Sequence, residues 1–220
     1  MRIFLDGARL GSIYAHGMRG SAAEVLVELD VPRDRVPPTS QFRSTWIVAS
    51  QNALRDCGFF DRYLELLPDE HRDALMTTVV GGWLSSDMAV GHYTACDRLG
   101  LTHEERETLT GILRRPARNT LLSTMGHVAK HVGITPWTPL GYARRLWDRL
   151  CIGGGVAVYK EGPKEVYVEL LGLTLAPIPY FRAAMRDVAL GVGSMFCSTL
   201  YVKEVPSPEP TTLAFRASWV

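Results

Sequence analysis

Apolar and polar side chains alternate through Val156 and Val158 and again through Val166, Val168 and Leu170. The spacing then lengthens to a helical period from Ile178 to Val192, and alternation returns at Leu200 and Val202. A period of two marks a strand with one buried face, and a period near 3.6 marks a helix lying on it. The last third therefore predicts strand, strand, helix, strand, strand. Lys160 to Lys164, with Gly162 and Pro163, makes the first turn. Pro206, Pro208 and Pro210, which cannot donate to a ladder, make the second. Pro177 and Pro179 introduce the helix, which carries Phe181, Met185, Val188 and Ala189 inward. The fold class this predicts is α+β, a four-stranded antiparallel sheet under a helical N-terminal lobe.

The first two thirds read as helices. Ala22, Ala23, Val25, Leu26 and Leu29 fall at helical spacing between Gly20 and Asp30, with Ser21 as the cap. Val31 to Pro38 is a connector, after which Thr39 or Ser40 caps a helix through Trp46, Ile47 and Leu54 to Gly58. Phe59 and Phe60 open a short helical piece. Pro68, Asp69 and Glu70 then open a helix that turns Leu75, Met76, Val79 and Val80 inward. Gly81 and Gly82 kink or break the pattern before Trp83, Leu84, Met88, Ala89 and Tyr93 resume it. Thr102 to Glu105 is a capping box, Pro116 ends the helix it opens, and another helix covers Asn119 to His131. Gly133 to Pro139 is a stiff boundary, followed by a helix from Leu140 to Cys151. The division this suggests is a helical lobe over residues 1–139 and a sheet with its crossing helix over 140–220, sharing one core.

With 220 residues, 46% of them hydrophobic, the chain can bury a sizeable core without staples. Its 24 Lys and Arg against 23 Asp and Glu leave a formal charge of +1, which argues against a nucleic-acid surface. Cys57, Cys96, Cys151 and Cys197 lack Cys-x-x-Cys spacing and read as reduced, buried thiols of a cytoplasmic protein. Asp6 and Gly7 interrupt the N-terminus too early for a signal peptide. No window reaches the roughly 18 apolar residues of a membrane span.

This element order, closing on the aromatic-rich Phe215-Arg216-Ala217-Ser218-Trp219, resembles a myxobacterial family of paralogues of unassigned function. More distantly it is similar to the fold shared by haem nitric-oxide-binding domains, vinyl-reductase-type ligand sensors and a class of vesicle-tethering subunits. The resemblance implies a cavity between sheet and helices that holds a haem, an aromatic compound or an acyl chain. The haem branch carries Tyr-x-Ser-x-Arg, which this sequence lacks, and the zinc-dependent sensors carry a cysteine spacing that is absent here.

Four sets of residues carry candidate chemistry. His127 and His131 lie four apart on an expected helix, the spacing of metal or haem ligands, though Val128 stands where a metalloprotease helix has Glu. His92 and Cys96 are also four apart, with Asp87 before them, and an imidazole beside a thiol can generate a nucleophile. Gly153, Gly154 and Gly155 invite a phosphate-loop reading, but they follow a helix and precede a strand, so a turn or edge bulge is the better account. Arg114, Arg115, Arg118, Arg144, Arg145 and Arg149, beside Trp137, Tyr142 and Trp147, have the Arg-plus-aromatic composition of protein interfaces.

These readings converge on a non-enzymatic sensory or adaptor domain in signalling. Trp83, Met88, His92, Tyr167, Phe181 and Met185 are expected to line a pocket for a hydrophobic small molecule. Arg114, Arg115, Trp137, Arg144 and Trp147 are expected to meet a protein partner, with a homodimer as one form. The cofactor is left open. The alternatives are a haem or metal sensor through His127 and His131, and an enzyme using His92 with Asp87 or Cys96.

Overall fold

A computed structural model describes residues 23–113 and 135–220. The readings on Ser21, Pro116 and the helix Asn119 to His131 lie outside those residues. In chain order the elements are β1 (Glu24–Val27), β2 (Gln41–Arg43), α1 (Ser44–Asp56), α2 (Phe60–Leu66), α3 (Asp69–Met76), β3 (Trp83–Ser85), α4 (Ser86–Arg98) and α5 (His103–Leu113). They continue as α6 (Trp137–Gly141), α7 (Ala143–Leu150), β4 (Cys151–Ile152), β5 (Gly155–Gly162), β6 (Glu165–Leu171), α8 (Pro179–Gly193), β7 (Leu200–Val205) and β8 (Leu213–Trp219).

The alternating segments form an antiparallel sheet in the order β1-β5-β6-β8-β7. Val158 pairs with Val168, which pairs in turn with Phe215, and Val166 pairs with Ala217. That register gathers Val156, Val158, Val166, Leu170, Leu213, Phe215 and Trp219 on one buried face. The helices α7 and α8 lie against β5 and β7, and α8 is joined in turn to α4 and α5. Leu213 to Trp219 and Leu200 to Val205 owe their pairing to this face, since a one-residue slip would turn every apolar side chain to water.

The sheet has five strands where four were expected, and the fifth comes from a segment read as helix. Glu24-Val25-Leu26-Val27 satisfies helical and strand spacing equally over so few residues, and β-branched residues suit a pleated surface. Pairing against the free side of β5 decides it: Val25 faces Tyr159, and Glu24 holds Lys160 at 2.8 Å.

A second, three-stranded sheet runs β3-β2-β4. Gln41 to Arg43 therefore forms a strand before α1 begins, so neither Thr39 nor Ser40 caps that helix. Trp83 to Ser85 pairs with β2, so the break at Gly81-Gly82 leads to a strand rather than back into helix. The helix restarts at Ser86, where Ser85 Oγ accepts from Met88 N at 3.2 Å. Because α3 stops at Met76, only Leu75 of its expected inward set is buried. Val79 is 74% and Val80 63% exposed. The helix expected from Leu140 to Cys151 is two pieces, with Tyr142 between α6 and α7.

The glycine triplet has a backbone reason. Pro37 O accepts from Gly154 N at 2.8 Å, Thr39 N donates to Gly172 O at 2.7 Å, and Ser40 N donates to Ile152 O at 2.8 Å. Gly153 and Gly154 hold φ of 80° and 66°, and a Cβ on Gly154 would meet Thr39, Trp147 and Leu171 within 2.8 Å. Glycine lets the connector cross the strand ends at this distance.

Candidate functional site

Chemistry-bearing side chains converge where α1, α2, α4 and α8 meet. On α1 the inward stripe reads Ile47, Ser50, Gln51, Leu54, two polar residues inside an apolar period, and all four are buried. On α4 the matching stripe brings His92 and Cys96 against them. His92 is 0% exposed. Its Nδ1 lies 2.6 Å from the Tyr63 hydroxyl of α2, and its Nε2 lies 3.7 Å from Cys96 Sγ. Ser50 Oγ lies 4.0 Å from Cys96 Sγ and 3.5 Å from the Tyr180 hydroxyl at the start of α8. The protonation that satisfies every group has Tyr63 donating to Nδ1 and Nε2–H pointing at the thiol.

Burial sets the charge state of this cluster. Desolvation pushes His92 down to about 3, so the imidazole is neutral at pH 7. The same cause raises the Cys96 thiol and the Tyr63, Tyr93 and Tyr180 phenols well above their usual ranges. A thiol held neutral is a poor nucleophile. Asp87, the expected third member, points elsewhere: it pairs with His71 Nε2 at 3.2 Å and is largely exposed. The set is an aromatic and hydrogen-bonded core, with His92 edge-on to Tyr93 at 4.7 Å and Tyr93 edge-on to Phe181 at 4.9 Å.

The six expected lining residues do not form one wall. His92 and Phe181 meet through Tyr93, while Met88 and Met185 are half-buried at the edge of the core. Trp83 lies on the small sheet, 36% exposed, with the Arg43 guanidinium 4.0 Å over its ring. Tyr167 points from the other face of β6, where it donates to Glu169 Oε1 at 3.0 Å. Glu169 is only 7% exposed, and Arg33 bridges it at 2.7 Å to Glu209, which Arg33 holds at 3.0 Å. Neither the Tyr63 partner of His92 nor this Arg33 clasp was picked out from the sequence. The polar pair Ser50 and Gln51 on an apolar stripe was the available signal for the first, whereas nothing local marks the second.

Of the expected partner-facing residues, Arg114 and Arg115 lie outside the described residues, as do His127 and His131. Trp147 is buried, its Nε1 donating to Gly153 O at 3.0 Å. Trp137 stacks edge-on to Trp219 at 4.8 Å and donates to Pro163 O at 3.1 Å. Arg144 is bound to Asp148 at 3.1 Å and to Asp30. Among the described residues no group of three or more His, Cys, Asp or Glu could hold a metal ion, and no helix is long and apolar enough to cross a membrane.

No family model and no curated protein matches the sequence, so the resemblance to a myxobacterial family finds no support there. Two solved structures are similar. One, from work probing the function of heme distortion in the H-NOX family, gives a TM-score of 0.46 at 12% identity over 80% of this chain and 94% of that one. The other, from work on modulating heme redox potential through protein-induced porphyrin distortion, gives 0.47 at 11% identity over 80% and 99%.

Proposed function

We propose that this chain is a non-enzymatic sensory or adaptor domain that holds a hydrophobic small molecule at the seam between its large sheet and its helices. The carrying observation is a contrast in burial. The residues able to do chemistry, His92, Cys96 and Tyr63, are sealed and neutral, whereas apolar residues at the seam are left half-covered. Val168, Leu200, Val202 and Ala217 on the inner face of the sheet, and Met185 on α8, remain partly exposed beside fully buried neighbours. Apolar surface at a junction of sheet and helix suits an oily ligand, which gains by leaving water. Of the expected lining, Met88 and Met185, which are half-buried, stay on the helical side of this reading, whereas His92 and Phe181 are sealed in the core and leave it together with Trp83 and Tyr167.

Haem, which figures in the two similar structures, finds no free imidazole among the described residues. His71 pairs with Asp87, His92 with Tyr63, and His103 with Glu107 at 3.4 Å. The haem or metal alternative therefore rests on His127 and His131, and a Soret band in freshly purified protein is its test. Native mass spectrometry tests the main reading: the undenatured chain is expected to carry a retained compound that Val202→Asp removes without unfolding the protein. A bare chain that aromatic and acyl probes also fail to stabilise, or a turnover abolished by His92→Gln in a folded variant, overturns it.

A further inference from the structure

We infer that the surface around Arg43 docks this chain onto a membrane bearing anionic lipids. Arg43 joins three segments: its Nε donates to Arg149 O at 2.9 Å, a terminal nitrogen donates to Gly81 O at 2.7 Å, and its guanidinium lies over the Trp83 ring. On those segments stand six of the eleven large apolar side chains exposed among the described residues, namely Val79, Val80, Trp83, Tyr142, Leu146 and Ile152. Ile152 shares the outer face of the small sheet with Trp83, because Phe42, between their partners Gln41 and Arg43, turns inward. An exposed apolar concentration of this kind marks an interaction site.

Shape and charge together favour a lipid surface over a protein. Val79 and Val80 are consecutive, yet both face water, so their loop stands out from the body instead of lying along it. Its base is fixed, since Ser44 Oγ donates to Val79 O at 2.6 Å and accepts from Gly82 N at 2.9 Å. A protruding apolar tip already held in place enters the boundary between headgroups and acyl chains with little ordering cost. The charges complement anionic headgroups. On α7 the buried Trp147 faces the core, and Arg145, Leu146 and Arg149 fall on the opposite side. Arg144, on the flank, takes Asp148 at 3.1 Å and also Asp30, while Arg145 and Arg149 are exposed with no carboxylate partner among the described residues. Cations beside exposed aromatic and aliphatic side chains are what an anionic leaflet attracts. The surface goes beyond the proposed function and shares no residue with the seam.

The test is flotation of the whole chain with vesicles of phosphatidylcholine alone and of phosphatidylcholine with phosphatidylglycerol in equal parts, soluble polyglutamate serving as the acidic-polymer probe. Binding is expected only to the anionic vesicles. It should weaken at least tenfold when Val79→Ser is combined with Val80→Ser and when Arg145→Gln is combined with Arg149→Gln, while Lys164→Gln binds as the unaltered chain does. Thermal midpoints of the variants, recorded without vesicles, separate lost binding from lost folding. Failure to float, wild-type affinity in either double variant, or equal weakening in Lys164→Gln overturns the inference. Tighter binding to polyglutamate than to the vesicles assigns the surface to an acidic protein and overturns it too. Val202→Asp, which empties the seam, is expected to float normally. If it folds but no longer floats, lipid enters the seam and not this surface, so the two proposals fail separately.

Discussion

The Tyr63 hydroxyl and the His92 Nδ1 lie 2.6 Å apart in a core from which both side chains are excluded from solvent. A pair of this kind supports stability through a proton balance. In the unfolded chain His92 takes a proton below about 6.5, whereas in the folded chain burial holds it neutral down to about 3. Between those values the unfolded state binds more protons. Stability from this group is therefore complete above 6.5 and lost as pH falls, by up to about 1.4 kcal/mol per unit.

Acidification from pH 6.5 to 5 is thus expected to cost the fold about 2 kcal/mol through His92. Tyr63, Tyr93, Tyr180 and Cys96, which face the imidazole or lie next to it, stay neutral throughout because burial raises all four. Urea unfolding at the two pH values measures the loss, and His92→Gln should flatten it. Should that variant fail to fold, the ring-proton NMR shifts of His92 in the unaltered protein settle the matter. An imidazole that protonates near 6.5 in the native state contradicts the sealed core.

Arg33→Ala is expected to destabilise the protein by about 1–3 kcal/mol, because it leaves the buried Glu169 carboxylate without its cation. Glu209→Gln removes a partner that is half-exposed and should cost less. The hydrogen bond from Arg33 holds the Glu209 carboxyl below its usual range, so what this group contributes is present at neutral pH and fades as the solution is acidified through its folded pKa. Denaturant midpoints of the two variants at pH 7 give the comparison, and a smaller loss for Arg33→Ala than for Glu209→Gln contradicts it.

Gly154→Ala and Gly58→Ala separate backbone strain from steric collision. Both glycines have positive φ, which costs another residue about 1–2 kcal/mol. A Cβ at Gly58 meets nothing within 4 Å, while one at Gly154 runs into Thr39, Trp147 and the Leu171 carbonyl. Thermal unfolding should show Gly154→Ala as clearly the worse of the two. Equal losses would mean that the connector from Pro37 to Thr39 does not cross at that distance.

Thr102→Ala tests the start of α5. The Thr102 hydroxyl accepts from Glu105 N at 3.2 Å, and the Glu105 carboxylate accepts from Thr102 N at 2.8 Å. Removing the hydroxyl is expected to cost about 1 kcal/mol. Circular dichroism during thermal unfolding reads the change, and an unaltered midpoint shows that the helix start is held by other contacts.

Alternation at Val156–Val158, Val166–Leu170 and Leu200–Val202, together with the helical period from Ile178 to Val192, was legible because each repeat is set by which face a side chain must turn from water. The capping box at Thr102 was legible for a related reason, since its donors and acceptors lie within one turn. What only the tertiary structure decided depends on partners distant in the chain. Glu24 to Val27 became a fifth strand because β5 had an open side, and Gln41 to Arg43 and Trp83 to Ser85 became strands because they face one another. His92 met Tyr63 across 29 positions, and Arg33 met Glu169 across 136. Local periodicity records the boundary between water and core at each residue, but not which segment covers it, and that is fixed by long-range contact.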